Sequence, residues 1–113
     1  MSFPTSQANP AAAVPVYIGG PTSASYTSIS GTITLGGTAQ VLQAAQSRRG
    51  IWIQNNSAGD LWINDLGATA VLAQPSIRLA TNAVWQTPDG GASPLALSII
   101  GATTAQAWTG RVW

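Results

Sequence analysis

The chain has 113 residues, enough for one domain with its own core, and it contains no cysteine for disulfides or thiolate metal sites. Only 6% of its residues are charged, against roughly 25% in an average soluble domain, and four arginines and three aspartates carry all of that charge. Four arginines neutralise few phosphates, so no nucleic-acid partner is expected, and a nearly neutral surface favours association with other proteins.

The first 28 residues are rich in proline, alanine and serine. Proline at this density disrupts helices and the interior of sheets, so residues 1–28 are predicted to form an extended arm ahead of a domain at 29–113. The arm either reaches onto a neighbouring subunit or is a free tail. Apolar side chains along it favour the first alternative. These candidate anchors are Phe3, Val14, Val16, Tyr17 and Ile18.

No segment has the pattern of a signal peptide or a membrane span. The alanine-rich run before Pro15 is short and lacks a preceding basic segment. No apolar run approaches the roughly 20 residues that a spanning helix needs, so no membrane partner is expected.

The domain is predicted to begin with two short strands. Residues 29–35 alternate between apolar and polar side chains, which is typical of a half-buried strand. Gly36-Gly37 then forms a turn into a second strand at residues 38–43. The side chains expected to face inward on the first strand are Ile29, Ile33 and Leu35.

The central stretch, residues 49–64, has the pattern of a β-hairpin. Two runs rich in β-branched and aromatic residues flank a cluster of Asn, Ser, Gly and Asp. Strand side chains alternate faces with a period of two, and a three-residue loop, Ser57-Ala58-Gly59, places the four odd-numbered aliphatic residues on one face. This loop is expected to hold Gly59 at a positive φ, with Asp60 as a turn residue. The aliphatic face comprises Ile51, Ile53, Leu61 and Ile63.

The other face of this predicted hairpin carries Trp52, Gln54, Trp62 and Asn64. Tryptophan and amide side chains suit a surface that meets another protein chain or a sugar better than one that faces water. The alternative is that a second sheet or loop of the same chain covers the tryptophans.

The rest of the chain predicts four further strands. Proline, glycine and asparagine turns separate them, and the last strand ends in Trp113, which is expected to be packed. The total of seven or eight short strands without a substantial helix predicts an all-β fold, either an antiparallel β-sandwich or a jelly-roll-like barrel. The four strands are residues 74–79, 83–86, 95–100 (Leu95, Leu97 and Ile99 inward) and 105–113.

The residue inventory argues against catalysis. Histidine, cysteine, lysine and glutamate are all absent, which removes the common acid–base and nucleophile–base pairs. Asp60 and Asp65 are five residues apart, so on one strand their side chains would point to opposite faces. No catalytic residue, metal site or cofactor is therefore expected. The Arg48-Arg49 doublet either meets an acidic patch on a partner or is solvated beside the strand.

Four segments of the chain resemble the small virion structural proteins of tailed bacteriophages. The resemblance spans residues 31–113 and consists of turn residues and strand hydrophobics. The segments that carry it are Gly36-Gly37-Thr38-Ala39-Gln40, Arg48 to Asn55, Gly59 to Asn64, and Ser98 to Thr104 followed by a terminal tryptophan.

The resemblance implies an all-β capsid decoration, cement or head-fibre-base protein, often trimeric. We therefore expect a non-enzymatic homotrimer on the phage head surface that binds and stabilises the shell through the major capsid protein or another virion protein. The alternatives are a carbohydrate-binding module of a host-recognition fibre, using Trp52 or Trp62, and a head–tail or tail component. Interface candidates are Trp52, Gln54, Trp62, Asn64, Arg48, Arg49 and Trp113.

Overall fold

The computed structural model describes residues 25–113, so the predicted arm anchors from Phe3 to Ile18 lie outside the described residues. Within this range the chain is all-β, and it has no helix long and apolar enough to cross a membrane. Its nine strands are β1 (Thr27–Ser28), β2 (Gly31–Thr32), β3 (Gln40–Gln43), β4 (Ile51–Asn55), β5 (Leu61–Asn64), β6 (Ile77–Leu79), β7 (Val84–Gln86), β8 (Leu97–Gly101) and β9 (Ala107–Val112).

The strands form two antiparallel sheets, which confirms the predicted sandwich. The first sheet has the order β1-β9-β4-β7, and β2 also pairs with β9, so β1 and β2 are two pieces of one interrupted edge strand. The second sheet has the order β3-β8-β5-β6. Since β1 begins at Thr27, the sheet starts two residues before the predicted domain boundary at residue 29.

The core lies between the sheets and is built by side chains that alternate along each strand. The four central aliphatic residues predicted to be buried are all fully buried. Trp108 of β9 closes the core near β2, and its indole Nε1 donates a hydrogen bond to the carbonyl oxygen of Ile29 over 2.6 Å. The buried aliphatic set is Ile29, Ile33, Ile51, Ile53, Leu61, Ile63, Leu79, Leu97, Ile99 and Val112.

Two side chains predicted to face inward are exposed instead. Leu35 lies beyond the end of β2, and Leu95 lies before the start of β8. Alternation constrains a side chain only where the backbone is paired in a sheet, and both residues lie outside the paired segments.

The predicted central hairpin is wrong. Strand β4 pairs with β9 and β7 in the first sheet, whereas β5 pairs with β8 and β6 in the second. The five residues between them carry the chain from one sheet to the other. Gly59 is also not among the glycines with positive φ, which in the described chain are Gly37, Gly67 and Gly90.

Asn55, at the end of β4, holds this crossover in place. It is fully buried, and its Nδ2 donates hydrogen bonds to the carbonyl oxygens of Gly59 (2.7 Å) and Leu79 (2.8 Å). Its Oδ1 accepts from the backbone N–H and the hydroxyl of Ser57. One buried side chain thereby joins the crossover to the end of β6, which a tight hairpin turn would not require.

Candidate functional site

A row of three polar and aromatic side chains crosses the outer face of the first sheet. Trp52 on β4 lies opposite Arg111 on β9 and opposite Gln86 on β7. Their neighbours Ile51, Ile53 and Val112 are buried, so alternation turns this row outward. The pairing therefore places an indole between a guanidinium and a carboxamide.

Arg111 lies over the Trp52 ring. Its guanidinium carbon is 5.6 Å from the ring centroid, within the range of a cation–π contact. The Arg111 side chain is exposed, and within residues 25–113 it makes no salt bridge. Within the described residues this guanidinium therefore contacts a ring face and no carboxylate.

Tyr26 and Trp113 form a second aromatic pair beside this row. Their ring centroids are 5.4 Å apart with an interplanar angle of 35°, and Tyr26 is 58% exposed. Together with the Trp52 row they line a shallow depression of about 250 Å³. We call this depression the aromatic cleft, and it comprises Tyr26, Trp52, Gln86, Arg111 and Trp113.

Trp113 is held in place at several points. Its backbone N–H donates to the Gly50 carbonyl oxygen, and the Gly50 N–H donates back to the Trp113 oxygen, both over 3.1 Å. Its indole Nε1 donates to Asp89 Oδ1 over 3.1 Å, and Asp89 Oδ2 accepts from Arg49 Nη2 over 2.5 Å. The predicted packing of Trp113 is confirmed, since the side chain is half-buried and bonded at both its backbone and its ring.

Gly50 makes room for the Trp113 ring. An alanine Cβ at this position would lie 2.1 Å from Trp113 Cζ2, far inside van der Waals contact. The indole therefore lies directly on the backbone at Gly50, which brings the second aromatic wall close to β4.

Two hydrogen bonds hold the pKa of the Asp89 carboxyl below its usual range. The bond from the Trp113 indole has the larger effect, and the bond from Arg49 the smaller. Both donors favour the charged form of the carboxylate. Asp89 is therefore an ionised anchor that ties Trp113 and Arg49 together at the end of the first sheet.

The second sheet carries a related pair with a different charge balance. Trp62 on β5 lies opposite Arg78 on β6, but Arg78 Nε donates to Asp60 Oδ2 over 2.7 Å. The hydrogen bond and the charge of Asp60 raise the pKa of the Arg78 guanidinium. Trp62 also lies opposite Ile100 on β8, whose side chain is buried.

Two further interface candidates have internal bonding roles. Asn64 is buried, and its Oδ1 accepts from the backbone N–H groups of Leu66 and Ala68, so it shapes the loop after β5. Arg48 is half-buried, burial lowers the pKa of its guanidinium, and it donates to backbone carbonyl oxygens of Ala44, Ser93 and Leu95. Its hydrogen bonds join two loops.

The structure thus divides the seven interface candidates. Trp52 and Trp113 both line the aromatic cleft. Arg49 forms an ion pair with Asp89, which in turn bonds the Trp113 indole. Gln54 lies two residues after Trp52 on β4, opposite Val84. Trp62 and Asn64 belong to the other sheet, so the shared tryptophan–amide face predicted for the hairpin does not exist.

Sequence reasoning missed three cleft residues, namely Tyr26, Gln86 and Arg111. The predicted arm, residues 1–28, includes Tyr26, although tyrosine and threonine both favour strands and β1 begins at Thr27. Gln86 and Arg111 each lie on a predicted strand, but their positions opposite Trp52 depend on strand pairing.

An apolar surface lies on the opposite side of the sandwich. Val41 on β3 is 72% exposed and borders a depression of about 190 Å³ that also involves Gly67. The Leu95 side chain lies 3.5 Å from where a Cβ of Gly67 would be, and the neighbouring Leu66 is 65% exposed. We call Val41, Leu66 and Leu95 the apolar patch.

The loop after β5 is fastened across the outer face of the second sheet beside this patch. The Ala70 N–H donates to Ser98 Oγ on β8 over 2.9 Å. Val71 and Leu72 in the same loop are more than 40% exposed.

No three acidic side chains within residues 25–113 come close enough together to hold a metal ion. Comparison of the chain with protein-family models, with curated proteins and with solved structures finds no match.

Proposed function

We propose that this protein is a non-enzymatic structural subunit of a phage virion, a homo-oligomeric decoration protein that binds the head shell and stabilises it. The observation that carries the proposal is the apolar patch on a sandwich that is almost without surface charge. The trimeric state and the head-surface location follow the resemblance of residues 31–113 to virion structural proteins.

The charge distribution supports a protein that functions in an assembly. Four of the seven charged side chains are used in two ion pairs, Arg49–Asp89 and Arg78–Asp60. A fifth charged side chain, that of Arg48, donates to backbone carbonyl oxygens. Little free charge is left to keep single subunits apart in solution.

The apolar patch supports the same proposal. Its three large side chains are each at least 45% exposed and lie where a loop covers part of the second sheet. Single exposed apolar residues are common, but a group of large exposed apolar side chains is typical of a protein–protein contact surface. A non-enzymatic role also agrees with Asp60 and Asp89, whose carboxylates are already bound to arginines.

Light scattering on the purified 113-residue chain tests the proposal. We expect a trimer at micromolar concentration, because association removes the apolar patch from water. The double variant Val41→Ser with Leu95→Ser should shift the population toward monomer and weaken binding to purified phage heads.

The control is Val84→Ser on β7 of the first sheet. This valine is 47% exposed, close to the 45% of Leu95, and its substitution should leave both properties unchanged. A monodisperse monomer for the unaltered chain, with no binding to heads, would contradict the proposal.

A further inference from the structure

We propose that the aromatic cleft is a binding site for an acidic saccharide, with Arg111 receiving the sugar carboxylate and the aromatic rings packing on the sugar face. This inference goes beyond the structural role above. All five cleft residues lie in a single chain.

The chain supplies an internal comparison between two cross-strand tryptophan–arginine pairs. In the Trp62–Arg78 pair, Asp60 is hydrogen-bonded to the guanidinium and neutralises it. In the Trp52–Arg111 pair, no carboxylate of the described residues occupies that position. The cleft therefore presents a cation where the other pair presents a completed ion pair.

None of the three aspartate side chains of this chain fills the position. Asp60 is bound to Arg78, and Asp89 is bound to Arg49 and to the Trp113 indole. Asp65 follows β5 in the second sheet, and residues 1–24 contain neither aspartate nor glutamate. A carboxylate from a ligand would thus complement an otherwise unpaired guanidinium, which can hold it with two parallel hydrogen bonds.

The other cleft residues suit a sugar ring. Trp52, Tyr26 and Trp113 line the depression with aromatic rings, which can pack against the C–H groups of a pyranose. The Gln86 carboxamide and the Tyr26 hydroxyl also line the cleft, and both can bond to sugar hydroxyls.

The size and charge of the cleft narrow the ligand class further. Its volume of about 250 Å³ is below the roughly 300–1,000 Å³ of pockets for drug-sized ligands, so it fits one sugar ring. Arg111 disfavours the cationic ligands that aromatic cages otherwise bind.

The walls of the site are also held in position before a ligand arrives. Trp113 is fixed by its backbone pairing with Gly50 and by Asp89, while Trp52 is fixed on a central strand of the first sheet. Because these side chains are already ordered, binding a ligand costs less conformational entropy, which favours affinity.

Isothermal titration calorimetry with two probes, trigalacturonate and 3′-sialyllactose, tests the inference, each compared with its methyl ester. The ester preserves the ring and removes the charge. We expect one or both acids to bind, and the matching ester to bind at least about tenfold more weakly, a difference of about 1.4 kcal/mol.

Variants locate the site. Arg111→Gln should abolish the difference between acid and ester, and Trp52→Ala should weaken both forms. Arg78→Gln and Trp62→Ala are the matched controls on the other sheet and should bind as the unaltered chain does. Arg111 is exposed, and a circular dichroism spectrum will show whether its variant retains the fold.

Failure of the unaltered chain to bind either acid would overturn the inference. So would equal binding of acid and ester, or an equal loss of binding in the Arg78→Gln control. Each of these results leaves the proposed structural function untouched, since that function rests on the apolar patch.

Discussion

At the scale of single residues, the contact between Gly50 and Trp113 is the tightest in the candidate site. The indole occupies the space where any side chain at position 50 would begin, with Cζ2 and Cε2 at 2.1 Å and 2.3 Å from a Cβ there. The position of one wall of the aromatic cleft thus depends on the absence of a single carbon atom.

Gly50→Ala should therefore lower the free energy of unfolding by about 1–3 kcal/mol, because the ring must move or the backbone must shift. Urea denaturation measures this loss. In a Trp113→Ala background the same substitution should have an effect of less than about 0.5 kcal/mol, since the clashing ring is gone. A full loss in both backgrounds would show that the clash with Trp113 is not the cause.

Asp89 makes the Trp113 anchor sensitive to acid. Its pKa is depressed in the folded state, below the ordinary aspartate value of about 3.9. The stabilisation from its two hydrogen bonds is therefore complete above about pH 4 and is lost as the pH falls through the lower, folded-state pKa.

Unfolding free energies of the unaltered chain and of Asp89→Asn, measured between about pH 6 and pH 2, test this linkage. We expect the unaltered chain to be more stable at pH 6 and the difference to shrink toward zero in acid. Other titrating groups cancel in this comparison. A difference that stays constant over the whole range would contradict the role of the charged carboxylate.

At the scale of elements, the crossover from β4 to β5 decides the arrangement of the sheets. Asn55 is buried at its base, and the hydrogen-bonding partners of its side chain all lie in the crossover or in β6. A second side chain, Gln106, also holds the crossover. Its Nε2 donates to Ser57 Oγ and to the Asp60 carbonyl oxygen, both over 3.1 Å.

Asn55→Ala should lower the free energy of unfolding by about 1–3 kcal/mol, because it removes the buried donor to the Leu79 carbonyl oxygen and leaves the Gly59 carbonyl oxygen with the Ser57 hydroxyl. Asn55→Asp should be more damaging at neutral pH, since it turns an acceptor toward those oxygens and buries a charge. Part of this loss should be recovered in acid, where protonation restores a donor.

Asn56→Ala is the control, because Asn56 is exposed and bonds Thr109 at the surface. Thermal unfolding of the three variants is sufficient for the comparison. An Asn55→Ala variant as stable as Asn56→Ala would show that the crossover does not depend on this side chain.

At the scale of the whole molecule, the two outer faces of the sandwich differ. The first sheet presents the aromatic cleft with an unpaired guanidinium, and the second presents the apolar patch beside a neutralised tryptophan–arginine pair. A subunit with two dissimilar faces can bind a shell or its own copies through one face and leave the other accessible.

The arm gives a prediction at this scale. Deletion of residues 1–24 keeps Tyr26 and β1, so the thermal stability of the sandwich should change little. If the arm tethers the subunit to the head, the affinity for purified phage heads should fall at least about tenfold. Co-sedimentation with heads measures it, and an unchanged affinity would show that the arm is not the tether.

The sequence by itself determined which side chains are buried along most strands. Ile51, Ile53, Leu61 and Ile63 alternate with polar or aromatic neighbours, and this pattern directs them inward whatever the strands pair with. The all-β class and the packing of Trp113 were predictable for the same reason, since both depend on local pattern and composition.

Only the tertiary structure decided which strands are partners. A hairpin and a crossover bury the same four aliphatic residues, so alternation could not separate the two arrangements, and the hairpin prediction failed. The aromatic cleft depended on that choice, because Trp52 meets Arg111 and Gln86 through backbone pairing between segments distant in sequence. Such pairing is settled by the packing of the complete core, and no short stretch of the chain contains that information.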